Sequence, residues 1–354
     1  MRLANDLNEN EILAWLCEEN PENLDKLWQY ADKVRKEYVG DDVFLRGLIE
    51  ISNMCSRNCA YCGIRAGNSK TNRYKMQVDE IIKSAHDAKR FGYGTVVLQS
   101  GEDRSTNAFE IAEIVRQIKH ETGLAVTLSL GERPFEDYKL WKEAGADRYL
   151  LRFETSDPDL FKLIHPSFGS TVSDRFRNLK DLKKLGFEVG SGVMVGIPGQ
   201  SYETLAHDIW LFGNMELEMV GIGPYISHPE TPLGNGEVVL SIPENQVSNS
   251  ELMTYKAIAL TRITCPDINI PATTALATLN KNTGRELGLE RGANVVMPNV
   301  TPSKYRVLYE LYPDKACLNE TADECNLCLS ARIKSIGRTI GVGSGTSRAM
   351  KNRG

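Results

Sequence analysis

Residues 43–62 read VFLRGLIEISNMCSRNCAYC, a β-rich apolar run that leads directly into three cysteines spaced C-x3-C-x2-C. The run has strand composition, so Cys55, Cys59 and Cys62 stand just past the C-terminal end of a strand. Working outward, the same unit recurs. VFLRGLIEIS is followed by the helical pattern VDEIIKSAHDAKRF, TVVLQS by AFEIAEIVRQIK, and LAVTLSL by PFEDYKLWKEA. DRYLLRFE precedes a stripe of Phe176, Leu179, Leu182 and Leu185; EVGSGVMVG, MVGIGP, INIPAT and ANVVMP continue the series. Their helical partners are YETLAHDIWLF, ELMTYKAIALTRI, the short GRELGL and SKYRVLYELY. Alternating βα units predict a parallel sheet with right-handed crossovers. Eight of them predict an α/β fold, a (βα)8 TIM-type barrel, with chemistry at the C-terminal strand ends. A doubly wound nucleotide-binding sheet is the competitor, but no G-x-G-x-x-G joins the first strand to a helix. GVGSGTS (341–347) follows no strand candidate and reads as a flexible end.

Two helices precede the barrel, with Ile12, Leu13 and Leu16 on one stripe and Leu24, Leu27 and Tyr30 on the next. The expected organisation is a single domain, 1–354: N-terminal helices 1–42, barrel 43–312 and a C-terminal extension 313–354. A chain of 354 residues with 41% hydrophobic residues suits such a fold. Forty-two Lys+Arg against 47 Asp+Glu, with no long basic run, argues against nucleic acid as a partner. No apolar run approaches a membrane span, and MRLANDLNENE lacks the features of a signal peptide, so a cytoplasmic protein is expected. Of eight cysteines, six fall into two tight groups, which in a reducing compartment reads as metal ligation rather than disulfides. Cys17 and Cys265 stand alone and read as packing residues.

Three thiolates pose a ligation problem. A structural zinc site takes four ligands, and the 55–62 loop holds no fourth His or Cys. A four-iron cluster on Cys55, Cys59 and Cys62 would leave one iron open, the mark of a catalytic site. The spacing also differs from the fully ligated ferredoxin run. Polar residues gather at the predicted strand ends: Gln99, Ser100, Gly101 and Glu102; Thr127, Ser129 and Glu132; Arg152 and Glu154; His228; Thr273 and Thr274. Any one alone reads as a loop cap. Their common rim suggests a site. The second group, Cys317, Cys325 and Cys328, is spaced C-x7-C-x2-C and admits an iron–sulfur cluster, a zinc ion or free thiols.

C-x3-C-x2-C after the first strand of a βα barrel resembles the signature of radical S-adenosylmethionine enzymes. Beyond that motif, LQSGED (98–103), AVTLSLGE (125–132), GADRYLLRFET (145–155), MVGIPGQ (194–200), MVGIGPYISHPETPL (219–233), NIPATTA (269–275) and GANVVMPN (292–299) are similar to the HydE family, radical enzymes that help build the di-iron subcluster of [FeFe] hydrogenase. The resemblance implies a [4Fe-4S] cluster whose open iron is chelated by S-adenosylmethionine, cleaved to a 5′-deoxyadenosyl radical. It implies that Tyr61 lies against the adenine, that Gly101 and Glu102 lie near the cofactor's amino group, and that Ser129, Glu154 and Arg175 contact its ribose and methionine parts. Arg152, Thr127, Met219, Thr273, Thr274, Tyr309 and Tyr312 would line a deeper substrate cavity. For Tyr309 and Tyr312 the plain alternative is helix packing in YELY; for the threonines it is strand filling.

The implied substrate is a small organometallic or amino-acid-derived molecule, a cysteine-bound iron carrying cyanide and carbon monoxide. The implied partners are the radical and GTPase maturases of the same assembly and an electron donor such as ferredoxin or flavodoxin. Some relatives carry the second cysteine group, which implies an accessory [2Fe-2S] or [4Fe-4S] cluster near the surface. Two features depart from the pattern. Phe153 stands where histidine occurs in a relative, removing a ligand or proton donor. Residues 234–251 form a longer segment, expected as a surface loop. The competing functions are a radical mutase like methylornithine synthase, with biotin synthase a further relative, and a non-catalytic iron–sulfur scaffold or carrier.

Overall fold

The computed structural model describes residues 1–167, 173–318 and 320–351; Asn319 and 352–354 of the predicted extension lie outside the described residues. Two helices open the chain, α1 (Glu9–Leu16) and α2 (Pro21–Val39), each started by an asparagine cap, Asn8 in a reciprocal box with Glu11 and Asn20 ahead of Pro21. Then follow β1 (Asp42–Ser52), α3 (Val78–Arg90), β2 (Thr95–Ser100), α4 (Ala108–Thr122), β3 (Ala125–Ser129), α5 (Phe135–Glu143), β4 (Arg148–Leu150), α6 (Pro158–Ile164) and α7 (Arg175–Lys184). The second half comprises β5 (Glu188–Val195), α8 (Tyr202–Asn214), β6 (Met219–Pro224), α9 (Glu251–Thr264), α10 (Thr274–Leu279), α11 (Gly284–Glu290), β7 (Val295–Val296), α12 (Ser303–Arg306), α13 (Ala322–Ser335), β8 (Thr339–Ile340) and α14 (Arg348–Lys351).

The strands form one curled, parallel sheet in the order β6-β5-β4-β3-β2-β1-β7, with β8 beside the start of β1. Its outer face is apolar and packs on the helices: Ile111, Ile114, Val115 and Ile118 of α4 belong to the same buried core as Val96, Leu98 and Leu128. Truncating one such residue to Ala costs about 2–5 kcal/mol. Along β1, Arg46, Leu48 and Glu50 alternate with these outward residues and line an interior cavity.

Several expectations are corrected. The candidate strand 268–273 is reduced to isolated parallel bridges, Met219 with Asn269 and Pro271 with Val295, because Pro271 has no N–H to sustain a ladder. β4 stops at Leu150, short of the DRYLLRFE run, and Glu154 makes only an isolated bridge to Val193 from a left-handed φ of 66°. The helix predicted over SKYRVLYELY is confined to α12, so Tyr309 and Tyr312 sit in turns rather than on a helix face. Cys17 caps the end of α1 and is exposed, whereas Cys265 is buried as expected. Residues 234–250 run along the surface, Val239 being 86% exposed, and Gln246 pins them to Gly199 and Ile197.

The Gly/Ser tail is the largest correction. Far from a loose end, residues 343–347 close the N-terminal end of the sheet. Gly345 O accepts from Arg46 Nη2 at 3.2 Å and Asn269 Nδ2 at 2.9 Å. Ser344 O accepts from Thr95 Oγ1 at 2.8 Å and Arg148 Nη2 at 3.0 Å, and Ser347 N donates to Glu188 Oε1 at 3.0 Å. Arg148 and Glu188 are fully buried at the starts of β4 and β5 and need such partners, which a tail of small residues can deliver in close quarters. A Cβ on Gly94 would lie 1.6 Å from Gly343 O. Among the described residues no helix is long and apolar enough to cross a membrane.

Candidate active site

The sheet encloses a cavity of about 350 Å³, within the range of small-molecule sites. Every residue expected to meet the first cluster, the cofactor or the substrate lines it, from Cys55, Cys59, Tyr61 and Cys62 round to Tyr309 and Tyr312. Cys317, Cys325 and Cys328 do not.

The cysteine loop leaves β1 at Ser52 and is held at the cavity mouth by backbone bonds to four neighbours. Ser56 N donates to Glu102 O at 2.7 Å, Ala60 N to Ile164 O at 2.8 Å, Gly63 N to Leu311 O at 3.0 Å, and Leu233 N to Ala60 O at 3.0 Å. Gly101 must be small, since a Cβ there would stand 2.3 Å from Met54 O and 2.8 Å from Cys55 Cβ. Burial raises all three thiols, Cys62 to about 12 and Cys59 well above its ordinary value, with neighbouring thiols adding to the cost at Cys59 and Cys62. Such thiols ionise only with a cation at hand, and a coordinated iron supplies that charge. Among the described residues no three potential ligands converge tightly enough for a single metal ion. A cuboidal cluster, whose thiolates bind separate irons, fits this loop better than zinc does.

Beside the loop, two arginines interleave with two glutamates in the cavity wall. Arg57 Nε pairs with Glu102 Oε1 at 2.5 Å and its Nη2 with Glu132 Oε2 at 3.4 Å; Arg175 pairs with the same two carboxylates at 3.4 and 2.9 Å. Glu132 N donates to Glu102 Oε2 at 3.0 Å. Gly131, at φ 76°, makes room for this, since a Cβ would lie 2.4 Å from Glu102 Cγ. Both Glu102 oxygens are therefore engaged inside the protein. His165 joins the cluster, its Nε2 2.7 Å from Arg175 Nη2, and burial together with Arg175 and Arg57 pushes it down to about 3, a neutral ring.

Deeper in, Arg152 Nη2 pairs with Glu154 Oε2 at 3.1 Å and donates to Val193 O. Burial raises the Glu154 carboxyl against the opposing pull of Arg152 and Arg175. Thr127 Oγ1 is buried with no hydrogen-bond partner among the described residues, which leaves a hydroxyl facing the cavity group. Phe153 does not line the cavity: it is fully buried against Phe176 and Phe212, so its phenyl ring removes no ligand there. His228, expected at the rim, packs under the cysteine loop, where a Cβ on Gly63 would meet its ring at 2.6 Å.

Sequence reasoning missed several wall residues. Lys315 pairs with Glu50 beneath the Tyr309 ring, Asn299 Nδ2 donates to Glu50 Oε2 at 2.8 Å, and Arg46 and Asn269 stand at the floor. The spacing of Arg46 and Glu50 on one face of an otherwise apolar strand was the available signal.

The second cysteine group lies where a turn meets α13. Cys317, at a left-handed φ of 63°, hydrogen-bonds Cys325 and receives Arg285 Nη1 at 3.5 Å; Cys328 is one turn further along and exposed. The hydrogen bond from Cys325, aided by Arg285, pulls the Cys317 thiol down to about 6.

Comparison with known proteins matches this architecture. The model of the Radical SAM superfamily matches residues 49–209, which span the cysteine loop and the first half of the sheet. The [FeFe] hydrogenase maturase subunit HydE of Thermotoga maritima is 48% identical over 315 residues, covering 89% of this chain and 86% of that protein. The chain belongs to the HydE family of radical S-adenosylmethionine proteins. A 3-methylornithine synthase of Methanosarcina acetivorans is 28% identical over 299 residues, 84% of this chain and 80% of the other. In fold, the crystal structure of methylornithine synthase superposes with a TM-score of 0.79 at 24% identity, covering 98% of this chain and 96% of that one.

Proposed function

We propose that this chain is a radical S-adenosylmethionine enzyme of [FeFe] hydrogenase maturation, holding a [4Fe-4S] cluster on Cys55, Cys59 and Cys62. The observation that carries the reading is convergence: the three cysteines and every expected cofactor and substrate residue line one cavity. When bound, the cluster supplies the electron that cleaves S-adenosylmethionine to a 5′-deoxyadenosyl radical. This chain's residues bind, orient and shield. Arg57 and Glu102 hold the cysteine loop rigid, so that Glu102 acts by positioning while main-chain carbonyls near Gly101 accept the cofactor's amino group. Tyr61, Ser129, Glu154 and Arg175 hold the rest of the cofactor. Arg152, Thr127, Met219, Thr273, Thr274, Tyr309 and Tyr312 shape the space for a substrate, a cysteine-bound iron carrying cyanide and carbon monoxide, toward the di-iron subcluster.

In this reading the sheet works as a closed (βα)8 barrel, with 269–271 in place of a regular strand. Residues 1–42 brace its side, and Lys315 and Gly345 of the extension 313–354 add wall and floor to the body 43–312. Cys317, Cys325 and Cys328 hold an accessory iron–sulfur cluster, for which a hydrogen-bonded thiol pair with a third thiol one turn away is a suitable donor set. The protein acts in the cytoplasm with its companion maturases and a ferredoxin or flavodoxin donor.

The test is anaerobic reconstitution followed by S-adenosylmethionine titration, and complementation of a strain lacking its own HydE. A cluster spectrum that changes on addition, 5′-deoxyadenosine formation and restored hydrogenase activity are expected. Cleavage with hydrogenase left inactive, and with lysine consumed instead, would move the protein to the mutases.

A further inference from the structure

His165 is singled out neither by strand periodicity nor by the cysteine spacing, yet it stands in the cavity wall, 3% exposed. It caps the end of α6; two contacts fix its ring and a third fixes the helix end that carries it. Phe161, one turn earlier, stacks on it with centroids 4.9 Å apart and planes 16° apart. Ile164 O accepts from Ala60 N at 2.8 Å, which ties the helix end to the turn between Cys59 and Cys62. Arg175 Nη2 lies 2.7 Å from Nε2.

A guanidinium donates and never accepts, so Nε2 is the acceptor and the ring proton resides on Nδ1. Burial first, and then the facing cations Arg175 and Arg57, keep the imidazole neutral. Nδ1 is thus a buried donor that, beyond a weak approach to its own backbone, has no hydrogen-bond partner of good geometry among the described residues. Buried donors are ordinarily satisfied, and the exceptions ask for a missing acceptor. Beside the two arginines the neighbourhood is aromatic and apolar: Tyr61 packs against the cluster that holds Leu160 and Ile164, and Phe161 stacks on the histidine. Such a surface suits the nucleoside half of a ligand better than a charged amino-acid half.

We propose that His165 is a cofactor-binding residue whose Nδ1–H donates to an acceptor atom of the adenosyl group of S-adenosylmethionine, with Arg175 fixing its tautomer. The assignment rests on the cofactor reading given above. Anaerobically reconstituted wild type, His165→Phe and His165→Asn are titrated with S-adenosylmethionine while the paramagnetic spectrum of the reduced cluster is followed. All three should carry equal iron. His165→Phe keeps the stacking and loses the donor, so affinity should fall by about tenfold, the worth of one hydrogen bond. His165→Asn places an amide N–H near the Nδ1 position and should stay within about threefold of wild type. With 5′-deoxyadenosine as competitor the Phe variant should show the same loss, and with methionine none. Wild-type affinity in His165→Phe, or a loss confined to methionine, overturns the assignment. Equal losses in the Asn and Phe variants overturn the donor role. A wild-type spectrum indifferent to S-adenosylmethionine defeats the cofactor reading itself, and this assignment with it.

Discussion

Cys55, Cys59 and Cys62 lie along a loop tied by backbone bonds to four neighbouring segments; Cys317, Cys325 and Cys328 lie where one turn meets one helix. The first three face a cavity and are kept protonated by burial, while in the second group a thiol pair and Arg285 favour one thiolate. Around the first group stand two arginines and two glutamates in mutual contact; around the second stand Arg285 at the Cys317 thiol, Arg306 on the Cys317 carbonyl and Arg332 beside Cys328. Placement, more than cysteine spacing, separates a group that faces the cavity from one at its periphery.

The hardest blow to this contrast comes from the cysteines themselves. Cys59→Ala removes one of the three thiols proposed to hold the first cluster and should abolish S-adenosylmethionine cleavage; turnover surviving in the reconstituted variant would dissolve the distinction between the groups. Next in size is Glu102→Gln. It leaves Arg57 and Arg175 with one fewer counter-charge in a buried wall, a change that costs about 3–5 kcal/mol when a buried pair is broken. A melting temperature unchanged from wild type would show that the network does not brace the loop.

Arg152→Met should lower maturation activity by about ten- to a hundredfold, the worth of a charge-assisted bond, and leave S-adenosylmethionine affinity nearly intact. Because Arg152 already pairs with Glu154 at 3.1 Å, equal losses in both measurements would assign it to holding the strand end. The thiols themselves give a gentler probe. In metal-free protein Cys317 should react with iodoacetamide at pH 7 and slow as pH falls through about 6, while Cys59 and Cys62 stay slow. A thiol depressed in the folded state stabilises the fold above its unfolded value near 8.5, and that stabilisation drains away as pH drops toward 6. The smallest effect belongs to the combined Cys317→Ser, Cys325→Ser and Cys328→Ser variant, which should lose iron yet keep most cleavage activity. A fall as deep as that of Cys59→Ala would make the second site catalytic.

Most of the first site was legible because its parts are local. The C-x3-C-x2-C loop is contiguous, and Gly101, Thr127, Ser129, Arg152 and Glu154 each lie in or just past a strand whose composition announces it. What stayed hidden depends on distant pairing. Pro271 breaks the ladder of an apolar segment, so INIPAT looked like a strand and became two bridges. Lys315 lies beyond the last recognisable barrel element, and only folding brings it to Glu50. His165 ends a seven-residue helix with nothing periodic about it. The tail misled most, since Gly and Ser signal freedom in a sequence but permit close approach in a structure.

That tail also sets an order of events. Arg46 on the first strand waits for Gly345, 299 residues later, and β8 reaches β1 across a similar span. Contacts of such separation form late, because closing long loops must precede any reward from the contact. During synthesis the buried guanidiniums of Arg46 and Arg148 therefore remain without their final carbonyl partners after most of the sheet has emerged. The cavity floor is complete only once residues 343–347, which follow every strand of the sheet, have been made.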